Sequence, residues 1–261
     1  MFSRVRDAAF FVRSVGVGDP PLVTTLALSV GSELWCDVTD RFAASRRVVA
    51  IDQRGAGRTQ GSTAGMTLQT QTDDLVAVVA DLGIGQCVHV TESAGCAPAL
   101  AAAAREPERF VGLVLCAPGD WWLDPPDQRE EMPSDVPVPE PAERQEILER
   151  MVTRSMVDTD DPVLLRWARA LIPDDWERLM TANRVSLTND LRAVVGEVST
   201  PTLVVHGDAD QVSAVDGSRR LVSALPDAEL LVLEGVGHAP MVTAPDGVAA
   251  AISGFLKRLG V

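Results

Sequence analysis

The sequence predicts an α/β fold, a mostly parallel sheet flanked by helices, on three observations. Short apolar, β-branched runs recur at residues 22–28, 48–51, 87–90, 110–116, 202–205 and 229–233. Helical patterns lie between them, and strands alternating with helices imply crossover connections and parallel neighbours. At 261 residues the chain has the length of one large α/β domain with an insertion, or of two small domains.

Taken in order, residues 8–15 read as a strand closed by the turn Gly16-Val17-Gly18-Asp19-Pro20 and antiparallel to the rest. Residues 68–82 predict a helix with Leu75, Val78, Val79 and Leu82 on one face. The alanine run over 97–105 predicts another, with Pro98 in its first turn, where the missing N–H would be unpaired anyway. The last helix, 245–259, aligns Val248, Ile252, Phe255 and Leu259. Alternation breaks between Asp120 and Val195. Residues 124–141 are rich in proline and acid and predict an irregular, exposed segment. Helical patterns then resume at Ile147, Leu148, Met151 and Val152, at Leu164, Trp167 and Leu171, and at Trp176, Leu179 and Met180. An all-helical insert reads as a cap: residues 1–120 and 196–261 form the core and 121–195 the lid.

Composition excludes several functions. The net charge is −14 and Lys257 is the only lysine, so the clustered cations that bind nucleic-acid phosphates are missing. Cys36, Cys87, Cys96 and Cys116 form no CxxC pair and no Cys/His cluster; they read as buried free thiols, and no metal is expected. No apolar stretch approaches the ~20 residues of a membrane helix, and the first residues lack a signal-peptide apolar region, which predicts a soluble, cytoplasmic protein. Gly55-Ala56-Gly57-Arg58-Thr59-Gln60-Gly61 follows a strand as a dinucleotide loop would, but no helix starts directly after it and no acidic residue ends the next strand at the required distance. The chain has no tyrosine, which excludes Tyr-dependent short-chain dehydrogenase chemistry. No cofactor is expected.

Three segments carry the candidate chemistry: Val88-His89-Val90-Thr91-Glu92-Ser93-Ala94-Gly95, His206-Gly207-Asp208-Ala209-Asp210 and Gly237-His238-Ala239-Pro240. Each follows an apolar run, and in order they supply a hydroxyl nucleophile, an acid and an imidazole. Ser93 falls in the sharp turn between a strand and an alanine-rich helix, which pushes its hydroxyl out at the carboxyl edge of the sheet. His238 lies in a loop, whereas His89 alternates within a strand and His206 ends one; those two read as structural histidines. Asp208 reads as a turn former.

These segments, with Asp52-Gln53-Arg54-Gly55-Ala56-Gly57-Arg58, resemble the α/β-hydrolase superfamily, with its nucleophile elbow and its order serine, acid, histidine. The resemblance spans nearly all of the core and implies the α/β-hydrolase fold, with the cap inserted after strand 6 in the family's count. It implies catalytic Ser93, Asp210 and His238, with Asp120 as the alternative acid, because some members carry it after the preceding strand. The chain departs at two places: Thr91 stands where the elbow usually has glycine, and Leu28-Ser29 stands where a His-Gly pair precedes the oxyanion donor. In that second segment the pattern is nearest to 3-oxoadipate enol-lactonase-like enzymes, which assigns the oxyanion hole to the backbone N–H groups of Val30 and Ala94. Ser29, Glu92, Trp121 and Trp122 are the pocket candidates. The implied activity is cofactor-free hydrolysis of a small or medium carboxylic ester or lactone, with a small-molecule substrate as the only expected partner and the oligomeric state left open. Two alternatives stand beside it. One is non-hydrolytic, C–C-cleaving or thioester chemistry of a natural-product or aromatic-degradation pathway, and the other is a catalytically impaired small-molecule-binding relative.

Overall fold

Among the residues that the computed structural model describes, 1–26, 31–119, 121–124, 139–155 and 176–261, eight strands form one sheet. They are β1 (Phe2–Val5), β2 (Ala8–Val15), β3 (Leu22–Thr24), β4 (Val48–Ile51), β5 (Cys87–Glu92), β6 (Phe110–Cys116), β7 (Thr202–Gly207) and β8 (Ala228–Leu233), ordered β1-β2-β4-β3-β5-β6-β7-β8. β2 is antiparallel to β1 and β4; the other neighbours are parallel. The described helices are α1 (Cys36–Thr39), α2 (Leu68–Asp81), α3 (Cys96–Arg105), α4 (Pro141–Ser155), α5 (Trp176–Thr188), α6 (Val215–Ala224), α7 (Pro240–Thr243) and α8 (Pro245–Leu259). None of them is long and apolar enough to cross a membrane.

Strand periodicity divides the core into two layers. On β6, Leu113 and Leu115 pack with α2, α3 and α6 on one face, while Val114 and Cys116 join the α1, α7 and α8 layer on the other. Val248, Ile252 and Phe255 put the apolar stripe of α8 into this second layer, each contributing about 1.5–3 kcal/mol by its burial. Thr67 sets the start of α2 by accepting the N–H of Thr70 at 3.1 Å.

The Asp52–Gly57 motif becomes a brace between elements. Asp52 Oδ1 accepts from Ser32 N (2.8 Å) and Ser32 Oγ (2.7 Å), and its Oδ2 accepts from Arg58 N at 2.8 Å. Gly57 is obligatory beside it: its φ is +45°, and a Cβ would sit 2.1 Å from Asp52 Oδ2. Arg54, buried, forms a two-point ion pair with Asp74 of α2 at 2.6 and 3.1 Å and also reaches Asp7 at 2.6 Å. Asp74 is buried and Asp7 is exposed. Asp74→Ala is therefore expected to cost about 3 kcal/mol, because it strips a buried cation of its buried partner. Asp7→Ala should cost much less, because its carboxylate is exposed to solvent. Urea midpoints of the two variants check the difference.

Several boundaries differ from those the sequence predicts, and β7 also extends two residues further, to Gly207. β1 was not anticipated; it pairs with β2 through a turn in which Arg6 takes a φ of +55°, where neither glycine nor asparagine marks the bend. β3 stops at Thr24 rather than running to residue 28: the Trp35 indole N–H caps Thr25 O at 2.9 Å, and residues 27–30 lie outside the described set. β5 runs two residues past Val90, pairing Thr91 with Leu115 and Glu92 with Cys116. Of the insert, α4 and α5 are described; the pattern at Leu164, Trp167 and Leu171 lies outside the described residues, as does most of 124–141. α5 docks on the core through Arg178, whose Nη2 donates to Ala56 O (2.8 Å) and Thr59 O (3.0 Å).

Candidate active site

The site forms where β5, β7 and β8 end. β5 runs to Glu92 and the chain then turns into a short helical turn, Ser93–Gly95, before α3. Ser93 adopts a φ of +50°, a left-handed conformation that costs a non-glycine residue on the order of 1–3 kcal/mol. The elbow forms with Thr91 in place. That side chain is fully buried, and its Oγ1 accepts from Thr25 Oγ1 at 2.9 Å. Since the Thr25 proton is committed there, the contact at 3.0 Å to His89 Nε2 places a ring proton on that nitrogen. Burial pushes His89 down to about 3, so it stays neutral as part of the core.

β7 delivers the acid and β8 the imidazole, and their loops are fastened to each other. Asp208 N donates to Leu233 O (3.1 Å) and Ala209 N to Val236 O (3.1 Å). Asp208 Oδ1 accepts from Gly235 N at 2.7 Å, so it staples the opposite loop rather than closing a turn on its own backbone. Gly207 is required by this closeness, since a Cβ there would lie 1.9 Å from Val236 O. Gly207→Ala is expected to push the His238 loop outward and slow any reaction at Ser93 by about 100-fold, the scale of a misplacement near 1 Å. The rate of covalent labelling of Ser93 checks this, with a thermal melt to separate displacement from unfolding.

Ser93, Asp210 and His238 come together. His238 Nε2 lies 3.0 Å from Ser93 Oγ, and His238 Nδ1 lies 2.7 Å from Asp210 Oδ2. A carboxylate only accepts, so Nδ1 carries the proton that faces Asp210, and Nε2 is the ring nitrogen left facing the serine hydroxyl. Ser93 and His238 are buried, at 4% and 3% exposure, and the Asp210 side chain is fully buried. Burial works to raise the Asp210 carboxyl, but hydrogen bonds from His206 and His238 outweigh it and hold the group well below the ordinary carboxylate range. Val212 N (2.7 Å), Ser213 N (3.0 Å) and Ser213 Oγ (3.1 Å) add donors. Ala94 is the second residue of the helical turn Ser93–Gly95, where N–H groups have no intrahelical acceptor.

The remaining candidates fall elsewhere. Ser29, Val30 and Asp120 lie outside the described residues, as does the Trp121 side chain. Trp122 is fully buried in the core cluster, and its indole N–H donates to Ser186 O at 3.3 Å, so it fastens the base of the insert rather than lining a pocket. Glu92 does not simply line a pocket either: its Oε1 lies 3.3 Å from His238 Nε2. His206, which ends β7, is buried and hydrogen-bonded as a structural histidine, and it also reaches the acid. Its Nε2 lies 3.0 Å from Asp210 Oδ2 and 3.0 Å from Ser213 O, and its Nδ1 lies 2.6 Å from Ser218 Oγ. The signal available in sequence was the spacing of four between His206 and Asp210, which a tight turn folds back onto itself.

A family model described as serine aminopeptidase, S33 (Hydrolase_4), matches residues 32–243. The chain is similar to a pimeloyl-[acyl-carrier protein] methyl ester esterase from Nitrosomonas europaea, 26% identical over 92% of this chain and 96% of that protein. It is also similar to a strigolactone esterase from Arabidopsis thaliana, 27% identical over 96% of each chain. Among solved structures, the enol-lactonase of Burkholderia xenovorans superposes with a TM-score of 0.84 at 21% identity, over 98% of this chain and 100% of that one.

Proposed function

The chain belongs to the serine aminopeptidase S33 family of α/β-hydrolases and is a hydrolase of the esterase and lactonase type, and from that premise we propose that it cleaves a small or medium carboxylic ester or lactone through a Ser93–His238–Asp210 triad. The supporting observation is the relay of 2.7 and 3.0 Å from Asp210 through His238 to Ser93. Ser93 Oγ bonds to the carbonyl carbon while its proton passes to His238 Nε2, and the carbonyl π pair moves onto oxygen. The N–H groups of Val30 and Ala94 receive that oxyanion. Collapse expels the alkoxide or enolate, which takes the proton from Nε2, and water repeats the sequence on the acyl-enzyme. Residues 121–195 act as the helical cap over a core of 1–120 and 196–261. The relatives named for a methyl ester and for a strigolactone support the substrate class.

A fluorophosphonate probe, with the labelled peptide mapped, is the test, run beside a panel of p-nitrophenyl esters, lactones and thioesters. Labelling at Ser93 with turnover of an ester or lactone is the expected result. No labelling together with tight small-molecule binding would instead identify an impaired binding relative, and turnover confined to thioesters or C–C bonds would overturn the substrate class.

A further inference from the structure

The mechanism above leaves one buried acid at its centre unused. Glu92, the last residue of β5, is 7% exposed, and its Oε1 lies 3.3 Å from His238 Nε2, the nitrogen that also faces Ser93 Oγ at 3.0 Å. Asp210 occupies the other ring nitrogen at 2.7 Å, so a carboxyl group stands at each end of the imidazole. With Nδ1–H donated to Asp210, an ionised Glu92 would face a lone pair on Nε2, which is repulsive. A single proton between Oε1 and Nε2 removes that repulsion wherever it resides. Resting on the triad reading, we propose that Glu92 is a further catalytic residue that shares one proton with His238 Nε2 and, once that proton has left, holds the imidazolium formed as Ser93 attacks.

The surroundings fit this role. Among the described residues, the titratable groups that face Glu92 are His238 from the loop after β8, Asp210 from the loop after β7, Cys96 of α3 and Cys116 of β6. Burial holds both thiols neutral, which leaves His238 as the group able to answer a negative charge there. Burial pushes the Glu92 carboxyl up to about 7, with His238 pulling it down and Asp210 pushing it further up, so the shared proton is exchangeable near neutral pH. The cycle balances. The shared proton goes to solvent, the Ser93 proton moves to the vacated Nε2 as the Oγ–C bond forms, and the leaving oxygen later removes it. Glu92 is a carboxylate from the departure of the shared proton onward.

The sign follows directly. Glu92 in its ionised form favours the protonated imidazole, so it delays the freeing of Nε2 to higher pH. Glu92→Gln is expected to move the acidic limb of Ser93 phosphonylation, and of ester hydrolysis, down by about 1 pH unit or more, the effect of one opposite charge within 4–6 Å. Its rate on the alkaline plateau should fall about 10-fold or more, because the transition state loses a counter-charge. With only three histidines in the chain, ¹⁵N-imidazole NMR in a Ser93→Ala background reads the His238 midpoint without needing turnover. In unsubstituted protein, the Glu92 carboxyl ¹³C and His238 Nε2 signals should move together, which tests the shared proton even if Glu92→Gln does not fold. Unchanged limbs and an unchanged His238 midpoint would reduce Glu92 to packing. Absence of Ser93 labelling in unsubstituted protein would instead sink the triad reading on which this rests.

Discussion

Ser93→Ala is expected to lower kcat by at least about 10⁴-fold while leaving the fold intact, because it removes the atom proposed to bond to substrate and little else. The hydroxyl contacts His238 Nε2 at 3.0 Å, and its loss leaves an imidazole still held by Asp210. The alanine would keep the left-handed backbone of Ser93 and therefore its strain. Ser93→Gly should be equally inactive and about 1 kcal/mol more stable than Ser93→Ala, since glycine takes a φ of +50° without steric cost. Steady-state kinetics and thermal denaturation of both variants check the pair. Turnover within tenfold of the unsubstituted enzyme would end the case for covalent catalysis at this residue.

Asp210→Asn is expected to lower kcat by about 10⁴-fold with a folded active site, through the tautomer of the base. An amide turned to donate to Nδ1 moves the ring proton to Nε2, and Ser93 then meets an N–H instead of a lone pair. The substitution also disturbs the three donors that converge on Oδ2, His238, His206 and Ser213 Oγ, while Oδ1 keeps Val212 N and Ser213 N. An amide nitrogen in place of Oδ2 accepts none of the three, so a stability loss of about 1–3 kcal/mol accompanies the kinetic one. The pH dependence separates the two effects. The native Asp210 carboxyl lies well below the ordinary carboxylate range, so the stability it contributes is fully present above that range and drains away as pH falls through it toward the folded-state value. Acid denaturation should therefore be steep in the unsubstituted protein and shallower in Asp210→Asn, as followed by circular dichroism from neutral pH downward. Equal acid limbs would show that the carboxylate is not held as described.

Much of this architecture was legible before any coordinates. The central strands and α2, α3 and α8 fell within two residues of their expected positions, apart from the shorter β3, because each buries an apolar face whose period is written locally. β1 was hidden because its alternation is inverted, with Phe2 exposed and Ser3 buried and bonded to Asp81, and because its turn puts Arg6 rather than glycine or asparagine at positive φ. Trp122 reads from sequence as either wall or packing, since an indole serves both, and only its burial and its bond to Ser186 O decide.

The amino-acid sequence by itself determined the layered α/β class, the elbow at Ser93 and the loop positions of Asp210 and His238, because strand period, helix period and turn chemistry are properties of neighbouring residues. Only the tertiary structure decided what converges on the imidazole. Glu92 and Ser93 are adjacent in the chain, but His238 lies 145 residues beyond Ser93, and nothing local states that one nitrogen will meet both side chains. In the same way, His206 acquires its contact with the acid from the closure of a turn. Convergence of this kind depends on strand order and on the Gly207 approach to Val236, which are set by packing across the sheet rather than by any short run of residues.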